Sequence, residues 1–276
     1  MPEILPYLAN ALLYGALALY FWRTRWAPAA HAQPAERAPG GPEHYAVLVP
    51  LALHTVLLAR DVFAHDGLRL GVGSAVSAIL WLTVLIYWLG NFFYRLEGLQ
   101  SLVLPAAAAA ALLPGLAPAV GPLPNTGLLV FKMHLLIAML AYSLFTIASL
   151  HVLLMAIVER RLHGGTLSRV LQQLPPLLAM ETLLFRIIWA GFILLTATIV
   201  TGVVFSEELF GRAAQFNHKT VFGVSSWLIF AALLGGRQVY GWRGRVAVRW
   251  TLAGFFTLVL AYIGSKFVLE VILGRA

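Results

Sequence analysis

Apolar runs long enough to cross a bilayer recur along this chain from end to end, and they leave it one class of fold. In hydrocarbon no water pairs with backbone N–H and C=O groups. Each run must therefore satisfy those groups within itself, as a helix. Hydrophobic residues make up 61% of the 276 residues and charged residues only 11%, less than half the usual charged share of about 25% in a soluble domain. The chain reads as an all-α integral membrane protein with the lipid bilayer as its first partner. With no large polar segment, residues 1–276 read as a single transmembrane domain.

Eight spans are expected: approximately Leu5–Trp22, Tyr45–Arg60, Leu70–Trp88, Leu99–Leu113, Gly127–Val158, Leu177–Phe205, Thr220–Leu234 and Val248–Leu273. The stretch Arg23–Glu43 is rich in Pro, Ala and Gly, and Pro114–Asn125 holds four prolines, so both read as loops. The fourth span is short and interrupted by Pro105, and the fifth is long enough to project beyond the bilayer. The basic residues set the orientation. On one side lie Arg23, Arg25, Arg37, Arg95, Arg160, Arg161, Arg169, Arg237, Arg243, Arg245 and Arg249; on the other lie Arg60, Arg69, Arg212, Lys219 and Arg275. Eleven against five puts the first group in the cytoplasm and both termini outside, in the periplasm. No internal repeat is visible, which speaks against a transporter of symmetric halves.

The net charge of +8 is accounted for by this loop bias and does not call for nucleic acid. With no Cys, thiolate metal sites and sulfur redox chemistry are excluded. The first apolar segment has no basic residue before it and no small-residue cleavage site after it, so no cleavable signal is expected. No nucleophile–base pair, phosphate loop or metal-hydrolase spacing is present, and no catalytic residue is assigned.

Sorting polar residues by depth isolates four of the eight histidines. His134 lies two turns into the fifth span from its outer end, and His218 just before the seventh. His54 falls mid-span in the second, and His151 on the inner half of the fifth. His134 and His151 are about 25 Å apart along one helix and belong to different layers. The outer layer is richer: Lys132, His134, Asn217, His218, Lys219, Lys266 and Glu270 belong to it, with Glu207, Glu208 and Arg212 in the same loop as His218. Ionisable groups in spans are costly and face a bundle interior or a cavity. A flat apolar cofactor with carboxylate arms suits this layer. Its body would lie among Phe131, Phe205, Phe210, Phe216 and Phe222, its carboxylates near Lys132, Lys219 or Lys266, and its iron between two neutral imidazoles. The structural alternatives are helix–helix hydrogen bonds for the histidines and snorkelling for the lysines. His65 is a further outer-loop histidine of second rank. His31, His44 and His163 read as loop residues without converging partners.

From Leu128 to about Leu273 the chain resembles the cytochrome c assembly superfamily, the membrane haem-handling proteins that include CcsA and CcmC. The segment opening at His134, the helix from Glu181 to Gly211, and the turn Gly241-Trp242-Arg243-Gly244 with the helix after it carry the likeness. The family's outer loop is Trp-rich and ends in Trp-Asp-Pro-Lys-Glu. Here Phe205, Phe210 and Phe216 stand for Trp, Asn217 for Asp and His218 for Pro, and only Lys219 is retained. The family's second outer His follows the last span, where this sequence has none, and its His after the seventh span is replaced near Gly236. This pattern resembles the HemX/YpjD branch, eight-span proteins with a degenerate loop. The resemblance implies a multi-pass protein of the bacterial inner membrane that binds or handles haem, with His134 and Lys219 carried over from the family and a cytochrome c maturation protein or another membrane protein as partner. That His218 takes the place of the missing ligand, with Lys266 near the propionates, follows from depth and chemistry. Two other readings compete: a haem-free accessory scaffold regulating a tetrapyrrole enzyme or a neighbouring transporter, and a small-molecule or ion transporter using His54 and His151.

Overall fold

The computed structural model describes residues 4–25, 42–63, 68–94, 96, 98–117, 126–163, 175–206 and 218–264. Every regular element among them is helical: α1 (Leu5–Arg25), α2 (Pro42–Ala46), α3 (Leu48–Phe63), α4 (Val72–Gly90), α5 (Gln100–Ala111), α6 (Leu113–Leu116), α7 (Leu129–His163), α8 (Leu177–Val204), α9 (His218–Tyr240) and α10 (Arg245–Val259), which widens into a π turn at Leu260–Gly264. Six of the helical stretches are long and apolar enough to cross a membrane. The fourth predicted span falls short. Pro105 lies inside α5, where it removes a backbone donor, and the chain turns at Leu112 into the four-residue α6. The last predicted span is followed as far as Gly264. The fifth extends beyond the expected Val158 to His163, a position expected in a loop.

The outward surface is what a lipid-facing bundle requires. Leu12, Val56, Ile193 and Phe256 are each more than 60% exposed, an arrangement costly in water and neutral in hydrocarbon. Inside, α7 is the central helix and packs on α4, α8 and α10; α1 packs on α5 and α3, and α9 on α8 and α10. The Ser143 hydroxyl joins the two halves by donating to the Ile79 carbonyl of α4.

Four cross-helix contacts fix the up-and-down alternation. At one end the Tyr7 hydroxyl of α1 donates to Asp61 of α3 at 2.6 Å, and His134 of α7 bonds Thr201 of α8. At the other end Arg237 of α9 pairs with Glu181 of α8, and Arg245 of α10 lies 3.7 Å from Glu159 of α7. Arg23, Arg160, Arg161, Arg237, Arg243, Arg245 and Arg249 consequently gather at one end of the bundle, and His134 and His218 at the other.

Glycines set how closely helices approach. A Cβ on Gly191 of α8 would come within 3.1 Å of the Phe145 ring, and one on Gly254 of α10 within 2.8 Å of the Phe230 ring. Those two wholly buried phenyls, from α7 and α9, stack with centroids 3.9 Å apart. Gly73 at the start of α4 is tighter still, since a Cβ there would sit 2.4 Å from the Leu113 carbonyl oxygen. The loop from α9 to α10 turns on Gly241 (φ 66°) and Gly244 (φ 52°), a region L side chains rarely enter. Between them the Trp242 ring folds back onto Gly236, and the Trp242 backbone N–H donates to the Gly236 carbonyl at 3.2 Å.

Two outcomes follow for thermal unfolding in mild detergent. Gly73→Ala destabilises by about 1–3 kcal/mol, because a backbone carbonyl cannot rotate away from the added methyl, whereas Gly223→Ala, which meets nothing within 4 Å, leaves the melting temperature unchanged or raised. Arg237→Leu strands the Glu181 carboxylate and costs about 3 kcal/mol, while the double replacement Arg237→Leu/Glu181→Leu regains most of that loss. A double variant no more stable than the single one would contradict this account of the pair.

Candidate functional site

Four members of the expected outer layer, Lys132, His134, His218 and Lys219, lie at the end of the bundle opposite the seven gathered arginines. His134 sits in the second turn of α7, half-buried against the last turns of α8. Its Nδ1 lies 2.8 Å from Thr201 Oγ1. The Thr201 hydroxyl also lies 2.7 Å from the Ala197 carbonyl and 3.1 Å from the Thr198 carbonyl of its own helix. With its single proton directed to that helix, Thr201 Oγ1 accepts and His134 Nδ1–H donates. In a neutral imidazole this places the lone pair on Nε2, the tautomer that can accept a hydrogen bond or ligate a metal. Gly202 leaves the ring room, since a Cβ there would touch Cε1 at 3.4 Å.

His218 is the first residue of α9 and is exposed, and Lys219 beside it is half-buried. Lys132 is exposed on the first turn of α7, next to the buried Phe131. Phe205 follows α8 directly, and Phe222 lies in the second turn of α9. Below them Trp227 donates from Nε1 to Thr196 Oγ1 at 2.8 Å and stacks on Phe192. The structure thus gathers His134, His218, Lys132 and Lys219 at helix termini of one end, and ties His134 to α8. Lys266, Phe216 and His65, like Asn217, Phe210, Glu207, Glu208, Arg212, Glu270 and His31, lie outside the described residues. Among the described residues no cluster of three or more His, Asp or Glu is placed to hold a metal ion without a prosthetic group.

The second-rank histidines occupy separate, buried positions. His54 Nε2 lies 2.8 Å from Ser77 Oγ, and Tyr14 meets the His54 ring edge-on with centroids 5.8 Å apart. Asn10 lies one turn before Tyr14 on α1. The Asn10 amide, the Tyr14 hydroxyl and His54 Nδ1 are buried with no partner among the described residues. His151 donates from Nε2 to the Met180 carbonyl at 3.0 Å and borders a hollow of about 360 Å³ shared with Tyr94 and Arg186.

Several residues escaped the sequence reading. His44, expected in a loop without partners, lies on α2 and is buried. It stacks on Trp88 with centroids 5.2 Å apart, meets Phe92 edge-on, and accepts from Asn91 Nδ2 at 3.3 Å. Asp61 anchors Tyr7, Glu181 anchors Arg237, and Thr201 tethers His134 Nδ1. An Asp or Glu within an apolar run was the available signal for the first two. Thr201 gave none, being one of four threonines along α8.

The family model described as Cytochrome C assembly protein matches residues 42–273. The Inner membrane protein YpjD of Escherichia coli (strain K12) is 34% identical over 139 residues, 50% of this chain and 52% of that protein. An uncharacterized 28.8 kDa protein of Azospirillum brasilense is 29% identical over 212 residues, 76% of this chain and 78% of that one. The Cytochrome c biogenesis protein CcsA of Prochlorococcus marinus (strain MIT 9515) is 35% identical over 88 residues, 32% of this chain and 28% of that one. The chain spans about half the length of the YpjD proteins it matches. No solved structure matches. With a helical membrane bundle carrying a match from residue 42 to 273, the chain belongs to the cytochrome C assembly protein family, on its YpjD-like branch, as a multi-pass protein of the inner membrane.

Proposed function

We propose that the chain binds or hands on haem at the periplasmic end of the bundle and so serves cytochrome c maturation, as one transmembrane domain of eight spans. His134 and His218 would hold the iron from two helices, and Lys132, Lys219 and Lys266 would meet the propionates, with Phe216 against the macrocycle. Bound haem would supply the iron and the redox couple, and the chain would make or break no bond. The observation that supports this reading is the 2.8 Å hydrogen bond between His134 Nδ1 and Thr201 Oγ1, which tethers the ring and leaves Nε2 to face a ligand when Nδ1 donates. A ligating imidazole needs its second nitrogen protonated and tethered, and outer partners of that kind fix ring orientation and raise ligand basicity. The donor set fits the group: neutral imidazole suits iron, and a carboxylate-bearing macrocycle needs cations at its rim.

The transporter reading has one observation in its favour, the buried polar atoms of Asn10, Tyr14 and His54 that have no partner among the described residues. It predicts uptake into proteoliposomes that fails in His54→Ala or His151→Ala, where the haem reading predicts none.

For the haem reading the expected result is a Soret band in detergent-purified protein, shifted by dithionite, and abolished or greatly weakened in His134→Ala and His218→Ala. Thr201→Val, which removes the acceptor but keeps the shape, weakens haem binding by about 10–100-fold, and Thr201→Ser restores it. Protein that stays colourless on adding haem excludes the proposal and favours a scaffold.

A further inference from the structure

At the end of the bundle opposite His134, a groove of about 620 Å³ opens between the last turns of α7 and the first turns of α10, lined by Ala156, Glu159, Arg160, Arg245, Val248 and Arg249. We propose that this groove is a binding site for the phosphodiester head group of an acidic phospholipid from the leaflet on the arginine-rich side. This site is independent of the haem reading.

Charge and shape point the same way. Three guanidinium groups face one carboxylate in the groove, with Arg245 3.7 Å from Glu159 across an exposed contact. One carboxylate offsets at most one of the three cations, so the groove keeps a net positive charge. Arginine presents paired donors that match phosphate oxygens. Arg245 and Arg249 are one turn apart on α10, and Ala156 and Arg160 one turn apart on α7, so each helix turns a single face to the groove.

What lies deeper distinguishes a lipid from free phosphate. Seven residues before Arg160, on the same face of α7, Leu153 is exposed; seven residues after Arg249, on the same face of α10, Phe256 is 65% exposed. Both positions lie toward the middle of the membrane. The groove therefore has a cationic mouth at head-group depth and an apolar track beneath it for acyl chains. Basic pockets between transmembrane helices at this depth suit lipids with anionic head groups.

The test uses the full chain in mild detergent, with native mass spectrometry and thermal unfolding during titration with cardiolipin, phosphatidylglycerol, phosphatidylcholine or inorganic phosphate. The expected result is retention of the two acidic lipids over phosphatidylcholine. Affinity for cardiolipin falls roughly thirtyfold in Arg245→Gln/Arg249→Gln, from the loss of two surface cations, and falls measurably in Arg160→Gln. A charge-matched control, Arg23→Gln/Arg243→Gln, retains wild-type affinity. Equal loss in the control would reduce the effect to general surface charge and overturn the proposal. So would equal binding of phosphatidylcholine, or stabilisation by millimolar phosphate that matches that by lipid. Because the replaced side chains are exposed, unchanged melting temperatures without lipid verify that the variants fold.

Discussion

The stack of Phe145 on Phe230, with a glycine facing each ring, is the contact on which the C-terminal half depends. One layer brings together α7, α9, α8 through Gly191 and α10 through Gly254. In lipid, helices gain nothing by hiding apolar surface from each other, because the acyl chains are equally apolar. Association rests on close packing, and small residues opposite large flat ones supply it. This layer holds α8 against α7, and it is that apposition that lets Thr201 reach His134 in the second turn of α7.

Hydrogen bonds to the C-terminal turns of α10 complete the arrangement. Tyr142 of α7 donates to the Leu258 carbonyl at 2.8 Å, beside the point where α10 widens into its π turn, and Ser226 of α9 donates to the Gly254 carbonyl at 2.9 Å. Each contact ties a neighbour's side chain to a backbone carbonyl, so the register of α10 against α7 and α9 is set by the main chain. Local widening of a helix frees or redirects carbonyls of this kind, and here Tyr142 occupies one. At the arginine-rich end, Arg237 joins Glu181, lies over the Phe185 ring at 4.6 Å and donates to the Trp242 carbonyl at 3.4 Å. One cation thus fixes α8, α9 and the Gly241–Gly244 turn together.

Much of the fold was legible in the sequence because hydropathy reports depth. Apolar runs located the spans, and the predicted Leu177–Phe205 differs from α8 by one residue. The same signal says nothing about azimuth, the direction in which a side chain leaves its helix. For that reason Gly191 and Gly254 were indistinguishable from other glycines, and Thr201 from its fellow threonines. His44 was misjudged for a related reason: it stands beside a Pro- and Gly-rich stretch, yet Trp88 and Asn91 of a later helix close over it. The site was legible only in part, since depth assembled the list of outer residues, while the tether of His134 rests on Thr201, which reaches the ring only once α8 lies against α7 in three dimensions.

Helix α7 has 35 residues, about 52 Å at the usual rise, against a hydrocarbon thickness of about 30 Å. Its surplus must stand in water or be absorbed by tilt. His134 and Arg160 ride on this one uninterrupted rod, about 40 Å apart. One hydrogen-bonded ladder thus sets the imidazole at one end relative to the guanidinium at the other, and a single residue inserted between them would shift one against the other by about 1.5 Å and turn it by about 100°.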